Sequence, residues 1–150
     1  MLRVLKDQPD MTQERQRRLE RRLSVATLVG GLLVAMYWAM YFTNAVPVGQ
    51  DDSLASAFES AFPVADALLG ILLFAASRAL YAGRRTGPFF LVAASATCLY
   101  LGFLDLTFYA RIGMYWPLTT AGAVELLVNA CCIGGGAAAL RLGWRLWSAT

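Results

Sequence analysis

The chain has no histidine, a single lysine and three cysteines, and only 15% of its 150 residues are charged. Without histidine there is no His-ligated haem, zinc or copper site. Lys6 lies outside every apolar segment, which excludes a retinal Schiff base within a bilayer. Cys98, Cys131 and Cys132 fall inside apolar runs with no C-x-x-C spacing, so quinone-coupled thiol chemistry is not expected and the thiols read as inert and buried. Aspartate-rich magnesium motifs are missing, which removes diphosphate-dependent prenyl chemistry. No cofactor is expected.

What the chain has is apolar length. Hydrophobic residues make up 58% of it, far more than a soluble domain of this size carries. Four stretches, roughly 23–43, 54–81, 88–110 and 117–140, each reach the 20 or so residues that a helix needs to cross a bilayer. The expected fold is all-α and polytopic. It comprises a basic cytoplasmic leader or interfacial helix at 1–22 and a four-helix transmembrane domain at 23–150. The net charge of +3 does not signal nucleic acid, because seven of the thirteen basic residues crowd into the first 22 positions.

That charge distribution reads as topology. Arg84 and Arg85 follow span two, and Arg141 and Arg145 follow span four, on the same side as the leader. Asp51 and Asp52 fall on the other side, where Arg111 is the only basic residue. Both termini are therefore expected in the cytoplasm, with the protein in the inner or plasma membrane. Short connections make sequential spans antiparallel neighbours in a compact bundle. Small residues are expected to supply packing surfaces: Gly30 and Gly31, the row Ala130, Gly134 and Ala138, and "GGGAAA" at 134–139. The same faces suit a homo-oligomer or a partner membrane subunit.

The chemistry concentrates in four acids. At 1.5 Å per residue, Glu59 lies about 8 Å deep, Asp66 about 18 Å and Glu125 about 12 Å, with Asp105 near the outer end of span three. All four lie in the outer half or at the midplane, and no Lys or Arg shares their depth. An ionised acid at mid-helix costs about 2.5–3.5 kcal/mol, so such residues mark function. Glu59 and Asp66 are seven residues apart, two turns along one helix face. Pro63 removes the hydrogen bond to the Glu59 carbonyl and is expected to bend the helix. Tyr109 stands one turn beyond Asp105, and Asn129 one turn beyond Glu125, as same-face neighbours. Tyr37, Trp38 and Tyr41 bring aromatic rings to comparable depth, whereas Tyr115 and Trp116 read as an interfacial belt.

Small multidrug transporters also have four helices, but carry their glutamate in the first, which lacks one here. In architecture, "FESAFP" (58–63) and Asp105 resemble the emopamil-binding and sigma-2-receptor group, in pattern only. That likeness implies a cavity for sterols or cationic amphiphiles.

Three functions are consistent with these residues. The first is binding of a hydrophobic, cationic or hydroxylated small molecule, sterol- or isoprenoid-like, with Glu59, Tyr37, Trp38, Tyr41, Tyr109 and Asn129 as lining. The second is metal-free acid catalysis by Asp66, Glu125 or Asp105, giving an isomerase or cyclase. The third is a structural subunit whose acids pair with arginines of another chain. Membrane lipids are partners in all three.

Overall fold

The protein is described by a computed structural model covering residues 11–43 and 53–148; the loop carrying Asp51 and Asp52 and the first ten residues of the leader lie outside the described residues. Five helices follow: α1 (Met11–Phe42), α2 (Ser53–Glu59), α3 (Phe62–Tyr81), α4 (Thr86–Arg111) and α5 (Thr120–Ser148). No strand occurs among the described residues.

Three boundaries differ from the sequence expectation. The arginine-rich segment continues into the first apolar stretch without a break, because 11–42 holds no Pro and its Gly30–Gly31 pair sits mid-helix. The second stretch is broken where a bend was expected. Its helix stops at Glu59 and restarts at Phe62, with Pro63 in the first turn of α3, where a missing N–H costs nothing. The last helix begins at Thr120 and runs eight residues past 140. Thr119 caps it, its Oγ accepting the Gly122 N–H at 3.1 Å.

Two helices end at a glycine. After α3, Gly83 takes φ +61°, its N–H reaching the Leu80 carbonyl at 3.0 Å while Arg84 N–H reaches Ala79 at 2.9 Å. After α4, Gly113 takes φ +76° with the equivalent pair of bonds to Ala110 and Tyr109. Glycine adopts this left-handed conformation without the Cβ penalty, and it closes each helix with a Schellman motif.

Packing is sequential: α1 lies on α3, α3 on α4 and α4 on α5. Ser24 meets Ser77 and Trp38 meets Asp66, so α1 and α3 run in opposite directions. The serines clasp reciprocally, each Oγ donating to the other's backbone carbonyl at 2.9 Å. Such bonds contribute about 0.6 kcal/mol on average in membrane proteins.

The seam of α5 repeats every seven residues. Gly122, Asn129, Gly136 and Gly143 are buried along it, with Glu125 and Leu146 in the alternate positions. A Cβ at Gly136 would meet Leu99 at 3.0 Å, and one at Gly143 would meet Val92 at 3.0 Å, so the missing side chains let α4 approach. This corrects the small-residue row expected from sequence. Ala130, Gly134 and Ala138 are all exposed, and nothing lies within 4 Å of a Cβ at Gly134.

The polarity of the molecule is inverted. Val25, Ile71, Leu127 and Val64 face outward at 60%, 65%, 65% and 82% exposure, while Ser24, Thr27, Ser77, Ser95, Glu125 and Asn129 are buried. Water would not tolerate apolar exposure on this scale; a bilayer requires it. Four helices (α1, α3, α4 and α5) are long and apolar enough to cross one, which describes a multi-pass membrane protein. Apolar clusters sit at two levels. Leu23, Ala76, Leu80, Leu91 and Leu146 pack at the arginine end, and Trp38, Phe62, Leu69, Ala94 and Leu101 pack toward the carboxyls.

Candidate functional site

The break between α2 and α3 determines how Glu59 is presented. As the last residue of α2 it is buried, and α2 is held against α4 by Phe58, whose ring stacks on Phe108 with centroids 3.6 Å apart. That stack delivers Glu59 to two phenols. Tyr109, itself 1% exposed, donates to Oε1, and Tyr37 donates to Oε2 at 3.3 Å. Both carboxyl oxygens are thereby satisfied from two other helices. The sequence reading paired Tyr109 with its own-helix neighbour Asp105; in the fold it serves Glu59.

Asp66 lies within the second turn of α3 and is half-buried. The buried Trp38 indole N–H donates to its Oδ2 at 2.9 Å. Oδ1 accepts no hydrogen bond among the described residues. The pair borders a groove of about 310 Å³ between α1 and α3, lined also by Gly31, Val34, Gly70 and Phe74. Apart from the carboxyl and the indole, its walls are apolar. Tyr41 stacks edge-on against Trp38 at 5.0 Å and supports its ring without reaching an acid.

On α5, Glu125 and Asn129 are both buried in the seam facing α4. Asn129 does not pair with Glu125, as the one-turn spacing suggested. Its amide donates to the Tyr115 hydroxyl at 3.2 Å, and its Oδ1 is buried with no partner among the described residues. An unsatisfied buried acceptor costs about 1–3 kcal/mol, so this side chain is under pressure to find a donor. Tyr115, in the turn between α4 and α5, has its hydroxyl held above the ordinary value by burial, with the Asn129 bond pulling the other way. Glu125 makes no hydrogen bond among the described residues.

Asp105 is half-buried on α4 and stands within electrostatic reach of Glu59, Asp66 and Glu125. The fold therefore gathers the four acids, one from each of α2, α3, α4 and α5, into one half of the molecule. Among the described residues, no group of three carboxyls or thiols converges as a metal site.

Of the residues singled out from sequence, Glu59, Tyr37 and Tyr109 form one hydrogen-bonded unit, Asp66 and Trp38 a second, and Asn129 a third with Tyr115. By sequence, Tyr115 reads as part of the interfacial belt. No local spacing signals its role, because its partner is fourteen residues away and the turn at Gly113 brings it back. Cys98 and Cys132 face each other across α4 and α5, the Cys98 thiol reaching the Cys132 carbonyl at 3.5 Å, whereas Cys131 is exposed. Three buried thiols were expected; Cys98 and Cys132 are half-buried, and Cys131 is exposed.

No family model, curated protein or solved structure matches the chain.

Proposed function

We propose that this is a four-helix antiparallel bundle in the cell membrane, both termini cytoplasmic, that binds a lipid-soluble ligand through Asp66. The observation that carries this reading is the groove between α1 and α3. It places a carboxyl with one bonded and one open oxygen at the edge of an otherwise apolar recess. Its volume is at the lower end of the range that small-molecule sites occupy. The ligand class follows from the chemistry: an amphiphile whose apolar body lies along Val34, Gly70 and Phe74, with an ammonium or hydroxyl donating to Asp66 Oδ1. The Trp38 face beside it favours a cation. Glu59, satisfied by two phenols, is a scaffold for the site, and Tyr37 and Tyr109 position it.

Acid catalysis on an isoprenoid-like molecule would use the same carboxyl in its protonated form. The two readings have opposite pH signs. A carboxylate that clamps a cation works ionised, so affinity rises as pH rises through its titration; a general acid works protonated, so turnover falls over that window.

The experiment is native mass spectrometry of the protein extracted from its own membrane, beside Asp66→Asn. The amide keeps shape but loses charge, so the expected result is a co-purifying small molecule with the wild type and none with the variant. An equal load on both proteins removes Asp66 from the site. A protein that carries only bulk lipid and co-purifies with an arginine-bearing membrane chain turns the reading to an assembly subunit.

A further inference from the structure

At the end of the molecule opposite the carboxyls lies a second recess, larger and of reversed charge. The first turns of α1 and the α3–α4 turn enclose about 670 Å³, and five arginines line it: Arg17, Arg18 and Arg21 from α1, with Arg84 and Arg85 from the turn. Two glutamates partly offset them. Arg18 pairs with Glu14 and Arg17 with Glu20, each at 3.2 Å. Glu20 is already engaged twice, since Gln16 donates to its other oxygen at 3.2 Å. Among the described residues, Arg21, Arg84 and Arg85 pair with no carboxylate.

The arrangement is built by the fold. The Schellman turn that ends α3 places Gly83 at φ +61°, and a Cβ there would come within 1.5 Å of the Arg17 guanidinium. Arg17 thus packs against the glycine and joins α1 to the turn that presents Arg84 and Arg85. Depth is set by the same helix. The apolar run of α1 begins at Leu23, so Arg17 to Arg21 stand about 3–9 Å outside it, at headgroup level. Guanidinium forks match phosphate oxygens in pairs.

From this geometry we infer that the groove between α1 and the α3–α4 turn binds the phosphate headgroup of an anionic phospholipid. A free phosphate offers the same oxygens but no acyl chains, and the chains have a place to go. Immediately beyond the groove, Val25, Leu28 and Phe89 present exposed apolar surface on α1 and α4.

The test uses the full chain in nanodiscs of phosphatidylcholine with or without phosphatidylglycerol. The readout is the anionic lipid retained on release into the mass spectrometer, and its affinity by titration. The wild type is expected to retain phosphatidylglycerol over phosphatidylcholine. The triple variant Arg21→Gln, Arg84→Gln, Arg85→Gln should lose about fivefold in affinity per arginine. Arg141→Gln with Arg145→Gln removes charge from the same end without touching the groove and should cost clearly less per arginine. Equal losses per arginine in the two variants would overturn the groove in favour of diffuse surface charge. A wild type without preference for the anionic lipid overturns it with no variant needed. If inorganic phosphate displaces the lipid at equal concentration, the occupant is a soluble phosphate and the lipid assignment fails.

Discussion

The two ends of this molecule handle charge by opposite means. In the carboxyl half, Glu59 and Asp66 are served by phenols and an indole reaching from neighbouring helices, and neither forms an ion pair among the described residues. At the arginine end, the guanidiniums line an open recess and three of them find no carboxylate among the described residues. The difference follows from solvent. A group surrounded by hydrocarbon must obtain its donors from the fold, whereas a group at headgroup level obtains its partners from water and lipid. Tertiary structure is therefore tied more closely to Glu59 and Asp66 than to Arg21, Arg84 and Arg85.

That contrast can be broken by mutation. Tyr109→Ala should have the largest effect, because it empties a fully buried ring site and strips Glu59 of a donor. About 3–5 kcal/mol of stability should be lost in detergent-micelle denaturation. Next comes the α4–α5 seam that positions Glu125 and Asn129. Gly136→Val forces a branched side chain against Leu99 and should cost about 1–3 kcal/mol. Gly134→Val, on the open face of the same helix, should cost under about 0.5 kcal/mol if that face meets lipid. A large loss at Gly134 would instead reveal an interface with another chain. Tyr37→Phe removes the longer of the two bonds to Glu59 and should cost about 0.5–1.5 kcal/mol. The smallest stability effect is expected at the other end. Arg85→Gln should stay within about 0.5 kcal/mol in neutral lipid. A loss there as large as that of Tyr37→Phe would mean that the arginines, too, are tied into the fold.

Much of the architecture was readable because hydrophobic length leaves few options. Apolar runs of 20 residues or more must be helices in lipid, and Pro63 marks where the second of them is interrupted. The acid set was legible by the same logic, since charge in an apolar run is costly wherever it occurs. Partner choice was not. Spacing paired Tyr109 with Asp105 and Asn129 with Glu125, yet hydroxyl and amide both turn to residues on other segments. A one-turn neighbour shares a face, but the side chain that bonds is the one whose donor meets the acceptor, and that depends on how helices cross. The α5 seam follows a longer period than its small residues suggest. Gly122, Asn129, Gly136 and Gly143 recur every seven residues and are buried, whereas the four-residue row through Gly134 faces outward.

By itself, then, the sequence determined that this chain has four helices fit for a bilayer, its positive charge largely in a short N-terminal stretch, and four acids within or beside apolar segments. Tertiary structure alone decided that Tyr37 and Tyr109 converge on the Glu59 carboxyl, and that Arg17 lies against Gly83 to complete a basic groove. The physical reason is range. Hydropathy and backbone propensity act over a few turns of one helix, whereas a hydrogen bond to a buried acid is settled by which surfaces of different helices come within about 3 Å of one another.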